Sequence, residues 1–379
     1  VILRSDLNVP ILNAKIQDTT RIKSCLPFLE KLLKKGAKVL LISHLGRPKS
    51  LNDKNYSLKP VFNYLKKNIK NNIYFHTEKI DKETNEKISF INQGEIILFE
   101  NLRFNDGEIQ NDEGFAQNLS LIGDIYINDA FSCSHRKQAS IHKITKYIKE
   151  VYGGPSLIKE LNSIDLILNN KQEPVTCIIG GSKVSSKIGI ILTLIKKVNN
   201  LIIVGAMANN FIKYKGLKFG KSLIEENSEK IIKKIYDQLR SSDCNLLLPT
   251  DFKVSNDKNG EPINRDQTKI KNNDIILDIG TETLKKINMI INNSKTVMWN
   301  GPAGYFENKS FAKGTISIAQ MIANNTLNKS LTSIVGVGDT ISAIKNSGLK
   351  VNFTHLSTAG GAFLEYIEGK NLPGIEVLK

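Results

Sequence analysis

Arginine is the residue type that most clearly indicates chemistry in the first half of this chain. Three arginines stand in loops that follow predicted strands, and a fourth stands at a predicted helix start on the same edge of the sheet. With two nearby histidines, the set is Arg21, Arg47, Arg103, Arg136, His44 and His135. An arginine fork pairs with phosphate or carboxylate oxygens through two parallel hydrogen bonds. Because parallel strands end at one edge of a sheet, these side chains should meet there and bind a small, multiply charged anion. The alternative is that each arginine pairs with a local carboxylate, such as Asp6, Asp106 or Asp129.

Glycines, lysines and a carboxylate follow the predicted strands of the second half. Lys183 and Lys187 come after Gly180-Gly181 and would share one face of a helix, where like charges repel unless an anion lies between them. Gly338-Asp339-Thr340 offer a carboxylate and a hydroxyl, and Gly360-Gly361 open a predicted helix whose N–H groups can face an anion. The pattern predicts a phosphate-and-metal site, and the alternative for the lysine pair is two solvated side chains.

The composition bounds the class of protein. A chain of 379 residues, of which 40% are hydrophobic, is long enough for two domains. No apolar run reaches the roughly 18 residues of a membrane span, and the start does not resemble a signal peptide. The chain begins inside a predicted strand, so a short N-terminal segment is expected to be missing. The four cysteines form no CxxC pair, which favours a reducing cytoplasm over a zinc site or a disulfide framework.

The formal net charge of +16 indicates either an anionic partner or a bias in composition. Lysine is abundant throughout the chain, so a bias explains most of the excess. A phosphorylated metabolite is a better candidate partner than nucleic acid, because the basic residues do not cluster with aromatic residues. We therefore expect small-molecule substrates, with neither nucleic acid nor a membrane as a partner.

Short apolar runs alternate with helical patterns along nearly the whole chain. Such runs are typical of parallel strands covered on both faces, and the alternation predicts an α/β fold with right-handed crossovers. Two glycines and a proline at 153–155 interrupt the pattern and predict a domain boundary, followed by a helix over 156–168. The predicted strands are 1–4, 38–43, 73–75, 96–99, 125–127, 175–179, 201–204, 245–248, 296–299, 333–335 and 353–356.

With these motifs assembled, the chain resembles the phosphoglycerate kinase family nearly end to end. The matching stretches occur in family order and include SDLNVP (5–10), TTRI (19–22), SHLGRPKS (43–50), FENLRF (99–104), NDAF (128–131), IIGGSKVSSKI (178–188), WNGPAGYFE (299–307), FAKGT (311–315), VGDT (337–340) and STAGGAFLE (357–365). The resemblance implies two Rossmann-like lobes, each a parallel sheet flanked by helices, separated by a deep cleft with a hinge near 153–154. The implied domains are 1–155 for phosphoglycerate, 156–364 for nucleotide, and a tail at 365–379 that packs back on the first domain.

The resemblance also implies a role for each matching residue. Substrate binding falls to Asp6, Leu7, Asn8, Arg21, His44, Leu45, Gly46, Arg47, Arg103 and Arg136. Nucleotide binding falls to Lys183, Lys187, Asn300, Glu307, Val337, Gly338, Asp339 and Thr340, with Asp339 also holding Mg²⁺. The implied catalytic residues, which supply positive charge around the transferred phosphoryl group, are Arg21, Lys187, Gly360 and Gly361. The implied enzyme is a cytoplasmic monomer that uses Mg²⁺ with ADP or ATP.

The chain departs from the usual family pattern only in its second half. Ser182 and Ser186 replace the family's usual alanine and aspartate. Larger residues also replace family glycines at Val204, Ala206, Val337 and Ala359, and Phe363 replaces a serine. Added bulk near a nucleotide could narrow the base pocket or change nucleotide preference. Every charged residue assigned to chemistry is kept, which favours an active enzyme. The alternatives are a pseudoenzyme of the same fold with weakened nucleotide binding, and a nucleic-acid-binding protein.

Overall fold

The computed structural model describes residues 1–50, 53–169, 172–328, 330–336 and 338–378. The chain divides into two compact units, the first formed by Val1–Leu161 with Lys370–Lys379 and the second by Asn162–Gly369. Both divisions lie a few residues beyond the boundaries predicted from the sequence. At the first of them, Asp129 accepts hydrogen bonds from Ser156 N at 2.6 Å and Leu157 N at 3.3 Å. The start of the connecting helix is therefore anchored to the first unit.

The first unit is built on a six-stranded parallel sheet. Its strands, together with a two-stranded hairpin formed by β2 and β3, are β1 (Ile2–Ser5), β2 (Ile11–Leu12), β3 (Lys15–Ile16), β4 (Val39–Ile42), β5 (Ile73–His76), β6 (Ile96–Phe99), β7 (Ile125–Asp129) and β8 (Glu150–Gly153). The spatial order of the sheet is β5-β6-β4-β1-β7-β8. Neighbouring residues of one strand belong to different core clusters: Leu3 and Leu41 lie in one, Ile2 and Leu40 in the other. Both faces of this sheet are therefore covered.

Strand β8 corrects the sequence-based prediction of five strands in this half. It pairs with β7 in parallel, with Tyr152 opposite Ile127 and Gly153 opposite Asn128. The strand ends at the first glycine of the Gly-Gly-Pro stretch at 153–155. Because this stretch indicated a break in the sequence pattern, the strand before it was not predicted. A β-carbon on Gly154 would lie 2.4 Å from Asp129 Oδ1, so close packing requires a glycine at this position.

The second unit contains another six-stranded parallel sheet and a smaller antiparallel sheet. Its strands are β9 (Val175–Ile179), β10 (Asn200–Ile203), β11 (Asn245–Leu247), β12 (Asp251–Ser255), β13 (Ile263–Asp266), β14 (Ile275–Ile279), β15 (Thr296–Asn300), β16 (Thr332–Val335) and β17 (His355–Leu356). The parallel order is β11-β10-β9-β15-β16-β17, and the antiparallel order is β13-β12-β14. The antiparallel sheet was not predicted, because β12 and β13 carry charged residues rather than a continuous apolar run. Trp299 is fully buried in the core, as the sequence indicated.

Helices connect the strands of both units. They are α1 (Thr20–Lys34), α2 (Lys59–Asn68), α3 (Thr84–Lys87), α4 (Asp106–Gln110), α5 (Glu113–Ser120), α6 (Pro155–Leu168), α7 (Ile188–Ile195), α8 (Met207–Tyr214), α9 (Glu229–Arg240), α10 (Thr281–Asn292), α11 (Lys313–Leu327), α12 (Asp339–Asn346), α13 (Gly361–Ile367) and α14 (Pro373–Glu376). Helix α1 buries Ile22, Cys25, Leu29 and Leu33, whose spacing of three to four residues places them on one face. The predicted α/β fold with two parallel sheets flanked by helices is confirmed.

The C-terminal tail from Lys370 onward is part of the first unit. The tail packs into the first unit, where Gly374 N donates to Ser134 O at 2.9 Å and Gly374 O accepts from Asn128 Nδ2 at 3.1 Å. A β-carbon on Gly374 would lie 2.5 Å from Ile141, so the tail packs closely at this glycine.

A search of the described residues finds no helix that is both long and apolar enough to span a membrane.

Candidate active site

The first candidate site lies where the strand order of the first sheet reverses. Strand β1 is flanked by β4 on one side and by β7 on the other. In an open parallel sheet, ligands bind outside the carboxyl ends of the strands at such a switch point. The loops after β1, β4 and β7 carry Asp6, His44 and Arg136, so the topology brings these predicted residues to one edge.

Asp6 organises the loop after β1. Its Oδ1 accepts from Asn8 N at 3.1 Å and from Arg21 Nη1 at 3.3 Å, and its Oδ2 accepts from the Ser132 hydroxyl at 2.5 Å. Arg21 Nη1 also donates to Asn8 O at 2.6 Å, and Asn8 Oδ1 accepts from Gly46 N at 2.9 Å. The alternative of a local ion pair therefore applies to Arg21. That pair fixes the direction of the guanidinium, and the bond from Gly46 N to Asn8 Oδ1 ties the loop after β4 to the loop after β1.

His44 is the centre of the cationic cluster. Its ring is only 4% exposed, and its Nδ1 lies 3.1 Å from Arg4 Nη2 and 3.7 Å from Cys133 Sγ. Burial lowers the pKa of His44 well below its ordinary value. Four positive charges lower the pKa of His44 further, those of Arg4, Arg103, Arg136 and Arg21. The ring is therefore neutral near pH 7, and three of the four predicted arginines lie close enough to act on it.

Sequence reasoning missed Arg4. Its side chain is fully buried, and its Nε donates to Ser140 Oγ at 3.1 Å. The Ser140 hydroxyl in turn donates to Glu108 Oε1 at 2.7 Å, so a buried carboxylate balances the guanidinium through one hydroxyl. The available signal was a charged residue in an apolar strand covered on both faces, because a charge in that position requires a buried partner.

Leu7 and Leu45 differ from the other predicted substrate residues. Their side chains are 0% and 3% exposed and belong to the core. Leu7 N donates to Ser43 Oγ at 3.0 Å, and Leu45 N donates to Asn101 Oδ1 at 3.1 Å. The structure therefore places both leucines as anchors of the loops that carry the polar residues.

Arg103 contacts the loop after β4, which carries Gly46 and Arg47. Arg103 Nη1 donates to Gly46 O, and burial lowers the pKa of Arg103 to about 10, so its side chain stays charged near neutral pH. Gly46 has a φ of +55°, and a β-carbon there would lie 2.2 Å from the Tyr56 ring. Arg47 is exposed on the same loop, whereas Arg136 is half-buried with its Nε 3.1 Å from His135 Nε2.

The second candidate site lies at the switch point of the second sheet, where β9 is flanked by β10 and β15. The loops after these three strands pack backbone against backbone. A β-carbon on Gly180 would lie 2.2 Å from Pro302 O, and one on Gly205 would lie 2.8 Å from Gly181 N. Gly205 and Gly301 also have φ values of +71° and +102°, which favour glycine. Close approach thus explains why a glycine follows each of these strands.

Lys187 is held inside this loop cluster. Its Nζ donates to Asn300 Oδ1 at 2.6 Å and to Gly180 O at 2.9 Å. Burial lowers the pKa of Lys187 to about 8, against the opposing effect of the Asp339 carboxylate. Asn300 is only 8% exposed. Its hydrogen bond to Lys187 joins two of the predicted nucleotide-binding residues.

The lysine pair does not share a helical face, which corrects the sequence-based expectation. Ser185–Lys187 form a short 3-10 turn, and α7 begins only at Ile188. Glu225 accepts from Ser185 N at 3.0 Å and from the Ser185 hydroxyl, which holds the segment outside the α-helix. Lys183 lies before the turn and is exposed.

An apolar pocket of about 460 Å³ opens beside these loops in the second unit. Its size is within the range of small-ligand sites. Among the residues that line it are Ala206, Phe252, Glu307 and Asp339. Glu307 and Asp339 are predicted nucleotide residues, and Ala206 is a position at which the chain departs from the family pattern.

The remaining predicted residues lie at the starts of α12 and α13. Asp339 is the exposed first residue of α12, after Gly338 with a φ of +76°. Thr340 is fully buried, and its Oγ1 accepts from Gly301 N at 2.8 Å, so this hydroxyl holds a glycine loop in place. Gly360 has a φ of +53°, and α13 begins at Gly361. Val337 lies outside the described residues.

A cluster of arginines on one parallel-sheet unit, and a lysine-glycine loop beside a pocket on the other, are typical of an α/β phosphotransferase. The family model described as phosphoglycerate kinase matches residues 1–370. The chain belongs to the phosphoglycerate kinase family.

Individual relatives agree with this assignment. The chain is 41% identical to phosphoglycerate kinase of Wolbachia sp. subsp. Drosophila simulans (strain wRi), with 100% of this chain and 95% of the relative covered. It is 42% identical to phosphoglycerate kinase of Bartonella quintana (strain Toulouse), with 100% and 96% covered. The solved phosphoglycerate kinase of Coxiella burnetii has a TM-score of 0.89 at 36% identity and covers 100% of this chain and 94% of its own. That of Pyrococcus horikoshii OT3 has a TM-score of 0.81 at 28% identity, with 100% and 95% covered.

These findings confirm the resemblance, and with it an ATP-binding kinase of glycolysis. They give no support to the pseudoenzyme alternative. The departures in the glycine loops lie within a chain that is otherwise matched along its length.

Proposed function

We propose that this enzyme catalyses the reversible transfer of a phosphoryl group between 1,3-bisphosphoglycerate and ADP, which yields 3-phosphoglycerate and ATP. The observation that carries the proposal is that the two switch points bring together different sets of residues. One gathers arginines around a neutral histidine, which suits a small multiply charged anion. The other combines lysines, glycine loops and an apolar pocket, which suits a nucleotide with its phosphates.

In the first unit, the proposed roles follow the charges and the loop contacts. Arg21 contacts the phosphoryl group in transfer, and the ion pair with Asp6 fixes the orientation of the Arg21 guanidinium. The other substrate contacts are proposed for Asp6, Asn8, His44, Gly46, Arg47, Arg103 and Arg136. Leu7 and Leu45 support these residues from the core.

In the second unit, Lys183 and Lys187 are proposed to bind nucleotide phosphates. The ammonium of Lys187 would exchange its bond to Asn300 for a phosphate oxygen. Asn300 and Glu307 lie near the sugar and base in this proposal, with Gly338 and Thr340 beside the phosphates. The N–H groups of Gly360 and Gly361 complete the positive surroundings of the transferred group. Nucleotide preference rests partly on Ala206, which lines the pocket.

Mg²⁺ is the proposed cofactor, with Asp339 as its protein ligand. Among the described residues, no group of three or more His, Cys, Asp or Glu side chains is placed to hold a metal. The Asp339 carboxylate in the pocket wall fits Mg²⁺, which is usually bound by one or two carboxylates together with substrate phosphates. Bound with the nucleotide, Mg²⁺ supplies positive charge to the phosphate oxygens.

The chemistry needs position and charge rather than a general base. Both oxygens that exchange the phosphoryl group are anionic, so no proton has to be removed in the direction of ATP synthesis. Charge spreads over three equatorial oxygens in the transition state, and the arginine and lysine side chains stabilise it. We also propose that the enzyme is a cytoplasmic monomer, as the family resemblance implies.

Separate titrations of the ligands test this division of roles. Arg47→Met and Lys183→Met form a matched pair, because both side chains are exposed in loops and neither supports a core. The Kd for 3-phosphoglycerate is expected to rise about tenfold in Arg47→Met only, and the Kd for Mg-ADP by a similar factor in Lys183→Met only, since each change removes one charged hydrogen bond. Calorimetry would measure both, with an oligonucleotide as the third ligand. Tight oligonucleotide binding, or ADP binding that depends on Arg47, would contradict the proposal.

A further inference from the structure

The His44 ring makes its hydrogen bonds through one nitrogen. Among the hydrogen bonds of the described residues, those of the ring both involve Nδ1, with Arg4 Nη2 at 3.1 Å and Cys133 Sγ at 3.7 Å. A guanidinium has five N–H donors, no acceptor, and a proton that is not lost in proteins. Arg4 Nη2 can therefore only donate, and Nδ1 can only accept.

An accepting Nδ1 defines the state of the whole ring. In the imidazolium form both nitrogens are donors, so the ring beside Arg4 must be neutral. In a neutral ring with an unprotonated Nδ1, the proton is on Nε2. The second neighbour agrees with this state, because burial raises the pKa of the Cys133 thiol and keeps its weak S–H donor.

Arg4 is itself held rigidly enough to impose this choice. Its guanidinium donates to Ser5 O at 2.7 Å through Nη1 and to Ser140 Oγ at 3.1 Å through Nε. Glu108 accepts from both the Ser140 hydroxyl and Ser140 N, at 2.7 Å and 2.9 Å. Three nitrogens of one buried guanidinium thus have fixed partners, and His44 is the partner of the third.

We infer that Arg4 is a positioning residue that locks His44 as the neutral tautomer with its proton on Nε2, so that His44 donates a hydrogen bond to an anionic oxygen of the substrate. The inference rests on the proposed substrate role of His44 and extends it by assigning the proton. A neutral donor recognises the anion without adding a charge that varies with pH. The charges facing the ring are Arg4, Arg21, Arg103 and Arg136, with the Cys133 thiol beside it.

Nitrogen-15 NMR of histidine-labelled protein tests the tautomer directly. The chain has five histidines, and the spectrum of His44→Gln identifies the signals of His44 by their loss. The expected result for the wild type is an unprotonated Nδ1 and a protonated Nε2 from about pH 5.5 to about pH 8, below and above the ordinary histidine pKa. A protonated Nδ1 within that range would overturn the inference without any variant.

Substitution of Arg4 tests the cause. In Arg4→Met, the two tautomers should mix, because the donor that fixes Nδ1 as an acceptor has been removed; the ring should stay neutral, because burial and three other arginines still lower its pKa. The KM for 3-phosphoglycerate should rise about tenfold, the effect of losing one hydrogen bond to a charged group, with a smaller change in kcat. Arg4→Lys, which keeps a donor and a charge, should restore much of both properties.

Two further variants keep the test decisive. Cys133→Ala should retain the Nε2–H tautomer, because it removes only the weaker donor; a change of tautomer there would assign the effect to Cys133. Arg240→Met, at an arginine whose side chain is 81% exposed, should change neither the ring signals nor the KM. If Arg4→Met does not fold, the wild-type and Cys133→Ala spectra still decide the inference. A correct tautomer shift in Arg4→Met with an unchanged KM would overturn the substrate role of His44 alone.

Discussion

Replacing Arg21 by alanine is expected to lower kcat by about a thousandfold, the lower end of what an arginine on a transferred phosphoryl group contributes. The loss should fall on kcat more than on the Kd for 3-phosphoglycerate, because the equatorial charge is greatest in the transition state. Steady-state kinetics and direct titration would separate the two effects.

Two other variants sharpen this prediction. Arg21→Lys keeps the positive charge and loses the fork, so its kcat should lie between those of the wild type and of the alanine variant. Asp6→Asn removes the negative partner 3.3 Å from Arg21 and leaves the arginine in place. It therefore tests whether the orientation of the Arg21 guanidinium matters in addition to its charge. A fall in kcat of less than tenfold in Arg21→Ala would show that Arg21 does not contact the transferred group.

Lys187→Met is expected to lower kcat about a hundredfold or more, because it removes a partly buried charge that is proposed to bind the phosphates in transfer. The pH dependence of the wild type adds a second signature. The pKa of Lys187 is lowered to about 8, so in the free enzyme the side chain is charged below about pH 8 and neutral above it. The value of kcat/KM for Mg-ATP should therefore fall above about pH 8. Bound phosphate favours the charged lysine, so kcat should fall only at higher pH.

Lys187→Arg is the control for the pH effect, because arginine stays charged throughout this range. Its kcat/KM should lack the decrease above about pH 8, whatever its absolute value. The same alkaline decrease in this variant, or a kcat within threefold of wild type in Lys187→Met, would contradict the role of Lys187. Lys183→Met should mainly raise the KM for Mg-ATP, since Lys183 is exposed outside the buried loop cluster.

The elements that the sequence predicted well are those with one dominant signal. Strands β6 and β9 have the predicted bounds, because each is a short, mainly apolar run that ends at charged residues or at proline and glycine. Strand β8 was missed because its end coincides with the glycines that indicated a break. Two of the three antiparallel strands were missed because Asp251–Ser255 and Ile263–Asp266 mix charged and apolar residues. The third, Ile275–Ile279, is a short, mainly apolar run that was also not predicted.

The same distinction applies to the site. Residue types in loops at strand ends predicted the arginine cluster and the glycine loops, because topology alone brings those loops together. Contacts that depend on sheet register could not be predicted. Arg4 reaches Ser140 and His44 only once β1 lies between β4 and β7, and nothing in the local pattern gives that order. The bond from Gly301 N to the Thr340 hydroxyl likewise depends on how two loops pack, and the local sequence pattern did not predict it.

The most direct test of the account is the assay of the full chain with 3-phosphoglycerate and Mg-ATP, coupled to consumption of 1,3-bisphosphoglycerate. We expect turnover that requires both substrates and Mg²⁺ and that is nearly abolished in Arg21→Ala and in Lys187→Met. Absence of turnover at millimolar substrates, with a folded protein that still binds both ligands, would contradict it.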